Sequence, residues 1–190
     1  TFIEEKFNAV FQTGTVWQND LTMSGGNEKN TYFFSLSNLQ QEGIIRESRY
    51  DRTNIRFNYN AKLNDWMDLS NKVAYAFTDS NATQGNSNVG GIQLGHLRTP
   101  AGFDNRDYIG VYTSASGEEF PRRHRAYRRY LGNNPNPIYN NPLWTTNEQL
   151  SLNKVNRVTV TPQLTIKPTD WLQFIARANV DFADDRRTFF

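Results

Sequence analysis

Three groups of side chains in this 190-residue sequence have the types and spacing that chemistry requires. Asp184 and Asp185 are adjacent carboxylates, the kind of pair that cleaves a glycosidic bond when both flank it. The run from Arg122 to Arg129 holds five arginines in eight residues, dense enough to grip phosphate groups. Phe103, Tyr108, Tyr112, Phe120, Tyr127, Tyr130 and Tyr139 offer faces that can stack on sugar rings, or that form the small core beneath a long loop. There is no cysteine, and the two histidines, His96 and His124, stand too far apart for a metal-ligand motif. No catalytic residue, metal or cofactor is expected, and the chain is not read as an enzyme.

Which of these groups can act depends on the elements that hold them. Between Thr53 and Phe77 the residues alternate strictly: Ile55, Phe57, Tyr59, Ala61 and Leu63 interleave with Asn54, Arg56, Asn58, Asn60 and Lys62. After the polar turn at Asn64-Asp65, Leu69, Val73, Tyr75 and Phe77 resume one parity. A period of two held over ten residues means a strand with a different solvent on each face. Soluble sheets use strands of about five or six residues, whereas a tilted strand crossing a bilayer needs roughly 9–11. The same alternation governs the C-terminal stretch, so Asp184 and Asp185 point to opposite faces and cannot flank one bond.

Composition narrows the class further. Hydrophobic residues are 37% and mean hydropathy is −0.73, yet aromatics are 14%, too many for a disordered chain. No apolar run approaches the ~20 residues of a membrane helix. A barrel remains compatible, because its lumen face and loops dilute the apolar face. The net charge of +2 carries no sign of a nucleic-acid partner. The run 122–129 is therefore read as a solvated loop segment pairing with nearby carboxylates or with lipid-headgroup phosphates.

Taken in order, the chain predicts six antiparallel strands near 15–24, 31–42, 52–63, 66–79, 149–166 and 171–187. They divide it into a lead-in at 1–14 that is either a frayed strand or a loop end, strands one to four over 15–79, a long connection over 80–147, and strands five and six over 148–190. Gly25-Gly26-Asn27 is hairpin chemistry. The parity of Phe33-Phe34 is ambiguous, and Pro162 predicts a bulge or local loss of pairing. Ile55, Phe57, Tyr59, Val73, Tyr75, Phe174, Ala176 and Val180 are expected on a lipid face. Arg56, Asn58, Lys72, Arg177 and Asn179 are expected in the lumen, where their charges find water or counter-charges. Trp66 and Trp171 follow short turns, as an interfacial aromatic girdle requires.

Ser24-Gly25-Gly26-Asn27-Glu28-Lys29, Tyr32, Gln41-Glu42-Gly43-Ile44, and Tyr50-Asp51-Arg52 leading to Arg56-Phe57-Asn58 stand in an ordered series. Asn141-Pro142-Leu143-Trp144, Asn156-Arg157 and Pro168-Thr169-Asp170-Trp171-Leu172 with Val180-Asp181 continue it. The series, from about Gln18 to Phe190, resembles the barrel of SusC/RagA-type TonB-dependent outer-membrane transporters. The resemblance implies a fragment of a 22-strand-class barrel that imports oligosaccharide or peptide across the bacterial outer membrane. It also implies a SusD-like surface lipoprotein as partner and a plug domain, outside this sequence, that meets the TonB complex. The long connection would then lie outside the cell, with Arg98, Phe103, Arg106, Tyr108, Arg125 and Tyr130 as candidates for contact with substrate or partner. The competing reading is a secreted soluble β-sandwich that binds carbohydrate through aromatic loops.

Overall fold

A computed structural model describes residues 2–83, 87–127 and 139–190. In chain order these form α1 (Phe2–Val10), β1 (Val16–Gly26), β2 (Asn30–Glu42), β3 (Arg49–Asn64), β4 (Met67–Asn81), α2 (Ile92–Arg98), β5 (Ile109–Thr113), β6 (Glu119–His124), α3 (Pro142–Glu148), β7 (Ser151–Thr169), β8 (Leu172–Arg177) and β9 (Val180–Phe189). β1, β2, β3, β4 and β7 pair antiparallel in that order, and β8 and β9 share the far edge of β7. The sheet is open, with β1 at one edge and β8 and β9 at the other.

The sixth expected strand is divided in two, and Pro162 is the cause. Gln163 pairs with Arg177 and Val160 with Val180, so the register is the same on both sides of the break and no residue is inserted. Between them Ala178 N–H donates to the Pro162 carbonyl at 3.1 Å, while the proline nitrogen has no hydrogen to return. Of the two outcomes expected at Pro162, pairing is lost locally and no bulge forms. The Thr161 hydroxyl bonds the Asn179 side chain at 2.7 Å across the gap.

Register sorts the side chains into two faces, because residues paired across antiparallel strands share a face. One row runs Met23, Phe34, Phe57, Val73, Val160, Val180, and the next runs Leu21, Leu36, Ile55, Tyr75, Val158, Phe182. Phe34 thus belongs to the apolar face, and Phe33, opposite Asn58, to the polar one. All eight residues expected on the lipid side share the apolar face, and Arg56, Asn58, Lys72, Arg177 and Asn179 share the other. On β4 the apolar band runs from Met67 to Phe77. At about 3.3 Å per residue and a tilt of roughly 40° this is a band about 25 Å tall. Above it the same face turns polar at Asp51, Asp79, Lys154 and Arg186, with Trp17 in the same row.

This apolar face is not covered. Phe174, Val180 and Phe182 are each more than half exposed. Among the described residues the only other sheet is the β5–β6 hairpin, and it does not pack on the apolar face. A β-sandwich needs two sheets with their inner faces in contact, and the described residues do not have that architecture. No described helix is long and apolar enough to cross a membrane.

Two ends follow from the connections. The β1–β2, β3–β4 and β7–β8 turns lie at one end, and the first is closed by Gly26 at φ +154°, where a Cβ would meet the Asn30 carbonyl at 2.2 Å. The β2–β3 connection, the long connection and α1 gather at the other end. The lead-in is a correction: residues Phe2–Val10 are helical, with Val10 fully buried, where a frayed strand or loop end was expected. Phe7, Val10 and Phe11 already stand at helical spacing.

The two faces make opposite demands on charge. Phe57→Arg in the full-length protein should destabilise the folded barrel by about 2–4 kcal/mol relative to Asn58→Arg, the cost of a guanidinium near the bilayer midplane. Reversible unfolding in lipid vesicles measures the difference, and equal tolerance of both would reject the assignment of faces.

Candidate functional site

The long connection is a folded cap. It leaves the sheet at Asn81 and returns at Ser151, and the neck is closed by Asn81, whose side chain donates to the Glu47 carbonyl at 2.7 Å and accepts from Ser151 N–H at 3.3 Å. Val10, Ile92 and Leu143 are its buried core, with Ala9, Phe11, Ile45 and Tyr108 packed around them. The cap therefore joins α1, α2, α3 and the β2–β3 connection. Backbone bonds from Gln12 to the Ile44 carbonyl at 2.8 Å and from Arg46 to the Val10 carbonyl at 3.1 Å fasten the lead-in to the sheet. α2 and α3 meet closely because Gly95 has no side chain: a Cβ there would lie 2.9 Å from the Asn140 carbonyl.

Asn141 is the polar centre of the cap. Its Oδ1 accepts from Leu143 N–H at 2.9 Å and caps α3, whose first turn carries Pro142. Its Nδ2 donates to the carbonyls of Asn105 and Arg125 at 3.0 and 3.1 Å, and its backbone N–H donates to His124 Nε2 at 2.9 Å. One buried amide thus joins α3, β6 and the 103–107 turn. His124 also stacks on Trp144, with centroids 4.8 Å apart.

The structure places five of the six loop candidates, and Tyr130 lies outside the described residues. Arg98 donates to the Asn88 carbonyl and side chain at 2.8 and 2.9 Å and lies 4.4 Å over the Tyr139 ring. Arg106 forks onto Asp104, at 2.6 Å from Nη2, and reaches Glu5 of α1 at 3.8 Å. Arg125 binds Asp107 at 2.9 Å and lies 5.3 Å over Phe103. Tyr108 packs on the cap core and edge-on to Trp144. Phe103, Arg106 and Arg125 come together on one side of the cap; Arg98 is held apart with Tyr139.

Charge in the cap follows from these contacts. Hydrogen bonds from the Arg106 side chain and backbone hold the Asp104 carboxyl below the usual range. Lys6 donates to the carbonyls of Thr99 and Pro100 at 2.6 and 2.8 Å, just past the end of α2, where a cation is favoured. Burial lowers its pKa, and Asp104 opposes that shift. His96 lies edge-on to Phe7 and Phe11 at 5.8 and 5.3 Å, and its Nδ1 is buried without a partner. Burial, and then the nearby Lys6, push it below the ordinary histidine value. Among the described residues no three His, Cys, Asp or Glu side chains are grouped to hold a metal. Asp184 and Asp185 lie on opposite faces, each bound to the arginine two residues on, Arg186 at 3.0 Å and Arg187 at 2.7 Å.

The polar face of the sheet is the second feature. Arg157 forks onto Asp181, and Arg177 donates to Gln163 Oε1 at 2.8 Å. A groove of about 360 Å³ runs beside Arg52, Arg56 and Arg157 over the small side chains of Ala74 and Ala76. The alternation predicted this face. Asn141, the anchoring of α1 and the buried Asn105 were not expected, although Asn141-Pro142 is an N-cap followed by an N1 proline and signals a helix start.

Removing the Asn141 side chain with Asn141→Ala should loosen α2 and α3 by on the order of 2–4 kcal/mol, the loss of an N-cap together with two buried carbonyls left unpaired. Asn141→Asp keeps the cap acceptor and should cost less; hydrogen exchange of the helix amides measures both, and equal protection in all three proteins would remove Asn141 from its central role. His96 yields a pH dependence. Its folded value is depressed, so its contribution is complete above the ordinary histidine pKa and is lost as pH falls through the folded value. Exchange of the α1 amides, corrected for intrinsic rates, should accelerate between about pH 7.5 and 5. His96→Asn should abolish that step, and an unchanged wild-type profile would exclude it.

No family model and no curated protein sequence matches this chain. Solved structures do match it. The RagAB peptide importer in its closed-closed state aligns with a TM-score of 0.67 and 23% identity, over 96% of this chain and 19% of that one. A structure of the RagAB peptide transporter aligns with a TM-score of 0.68 and 22% identity, over the same shares. The chain thus spans about a fifth of the length of the chains it matches. Likeness at this identity is one of fold: the chain is a segment of an antiparallel transmembrane β-barrel wall, with one long, folded connection.

Proposed function

We propose that this chain is part of the wall and outer cap of a SusC-like, TonB-dependent transporter that imports nutrients across the bacterial outer membrane. The observation that carries the reading is the sheet itself. An apolar band about 25 Å tall, uncovered among the described residues, stands back to back with a polar face, and the short turns gather at one end while the one long connection lies at the other. Lipid takes the apolar face and a water-filled path the polar one. Of the cargo classes in view, oligosaccharide and peptide, peptide is preferred, because the solved structures of similar fold are described as a peptide importer.

The cap lies on the extracellular side in this reading and meets a SusD-like lipoprotein or the captured solute. Arg98, Arg106 and Arg125 present guanidinium groups whose rotamers are fixed by Asn88, Asp104 and Asp107. Preorganised arginines lose little entropy on contact. Phe103 is held beneath Arg125, Tyr108 supports the cap from within, and Tyr130 is a candidate by composition alone. Leu97 and Val111, both more than half exposed, add apolar surface to the cap. The TonB complex acts through a plug region outside this sequence.

Two measurements test the reading together. The full-length protein should fractionate with outer membranes and resist extraction without detergent. Cells lacking it should lose uptake of a labelled peptide, and collapsing the proton gradient should stop uptake in cells that have it. Recovery in the soluble fraction, or uptake indifferent to the gradient, would overturn it.

A further inference from the structure

Among the described residues, four cations on the polar face have no carboxylate partner, and they form a line. Arg52 and Arg56 lie on β3, Lys72 on β4 and Arg177 on β8. Arg52 donates to Asn54 Oδ1 at 3.0 Å and Arg177 to Gln163, both neutral amides. Arg56 and Lys72 have neither a hydrogen bond nor an ion pair among the described residues, and both are exposed. Register places them in four of five successive rows, the row of Asn54 and Ala76 lying between those of Arg52 and Arg56. Arg52 is opposite Thr78, Arg56 opposite Ala74, Lys72 opposite Asn58, and Arg177 joins the row of Asn60, Ser70 and Gln163. From the row of Arg52 to that of Arg177 is eight residues along β3, about 26 Å at the rise of a strand. The line therefore crosses most of the height of the wall.

The neighbours of these cations leave room for a solute. Ala74 and Ala76 are the smallest side chains on this stretch of the polar face, and a groove passes Arg52 and Arg56 above them. A second groove, of about 230 Å³, lies between Arg56 and Lys72 and is otherwise lined by Asn58, Ala74, Thr159 and Thr161. Of the carboxylates of the same face, Asp181 is taken by Arg157 and Asp185 by Arg187, while Asp20 is bonded by the neutral Gln18 amide at 2.8 Å and lies on β1, two strands away from Arg52 and Arg56. Counting this face from the row of Arg52 to that of Arg177, five cations stand against three carboxylates, and the excess is concentrated on the line. Fixed charge of one sign along a low-dielectric wall focuses the field and raises the local concentration of counter-ions.

We infer that Arg52, Arg56, Lys72 and Arg177 form a cationic track that takes solutes bearing carboxylates, foremost acidic peptides, along the inner wall. The inference rests on the import reading above and names the charge class of the cargo. The track works by handing a carboxylate from one site to the next. Adjacent rows on one strand are about 7 Å apart, close enough for a solute group to be shared between Arg56 and Lys72 before it is released. Arg56 and Lys72, which have no partner among the described residues, carry the largest share.

The test compares two labelled peptides of equal length, one rich in Glu and one with Gln at every Glu position, in cells expressing the full-length protein. Arg56→Gln with Lys72→Gln should lower initial uptake of the acidic peptide on the order of tenfold, the lower end of electrostatic steering, and leave the neutral peptide within about twofold of wild type. Arg56→Glu with Lys72→Glu should reverse the preference. Heat-modifiable gel mobility confirms that each variant is inserted and folded. Equal loss for both peptides would mean that the cations pair with carboxylates of the protein itself, and the track is overturned. Unchanged uptake of both overturns it while the import reading stands. Failure of wild-type cells to take up either peptide overturns the import reading, and the inference with it.

Discussion

The backbone ladder is the constraint on which everything else in this structure depends. In hydrocarbon an unpaired N–H or C=O costs several kcal/mol, so each span must find its partners on neighbouring strands along its whole length. Once that ladder is laid down, register fixes which side chains share a row. A shift of one residue would exchange the two faces entirely. The rows of Phe57 and Ile55 are continuous from β1 to β9, so the register that satisfies the backbone is also the one that separates oil from water. Pro162 is the informative exception. It removes one donor and splits one strand, yet the register on the two sides of the gap is unchanged, and a side-chain bond between Thr161 and Asn179 spans it.

The cap obeys the same rule with different means. It has no long ladder, so buried side-chain amides take over the pairing of its backbone. Asn141 alone serves three segments, and Asn81 closes the neck where the last rungs between β4 and β7 end. A small apolar core is enough here because the helices are short and fastened at both ends. α1 contributes Val10 to that core and Lys6 to the end of α2, and through Phe11 and Arg46 it also ties the cap to the β2–β3 connection. Asn105 stands out within it: fully buried, with both side-chain polar atoms unpaired. An unpaired buried polar group costs about 1–3 kcal/mol, so Asn105, together with His96 Nδ1, subtracts from the stability of the cap.

How much of this was legible in the sequence follows from the range of the interactions involved. The strands were legible because period two and turn residues are local, and β3 and β4 show both, with Asn71 the one polar residue between Leu69 and Val73 on the apolar parity of β4. Phe33-Phe34 was not, since two adjacent aromatics satisfy either parity and only pairing with Phe57 and Asn58 decides between them. α1 was hidden for a related reason. Its helical spacing is one turn long, too short to outweigh the strand-like surroundings, and the helix is held by contacts with Ile44, Thr99 and Pro100, far away in the chain. The loop arginines were legible as a composition but not as an arrangement. Arg106 takes Asp104 and leaves Asp107 to Arg125, a choice made by the fold of the turn. The unpaired cations of the wall were legible as lumen charges, whereas their alignment exists only once four strands are in register.

Under the import reading proposed above, the arginines of the cap and the cations of the wall suit different tasks, contact with a partner or solute in the one case and passage in the other. In the cap Arg106 and Arg125 are paired with carboxylates, and Arg98 is held by the Asn88 carbonyl and side chain over the Tyr139 ring, so these three guanidinium groups are positioned before any partner arrives. Such groups suit shape-dependent contact, where a rigid surface loses little on binding. On the wall Arg56 and Lys72 keep both their charge and their rotamer freedom. A long flexible cation in water is a poor determinant of shape but an effective long-range attractor, and its weak hold on any one counter-ion permits release. A single tight site within the wall would capture a solute and keep it; a line of loose ones lets it move. In that reading cationic side chains serve different ends at the two places, and the difference lies in whether the described fold supplies a partner.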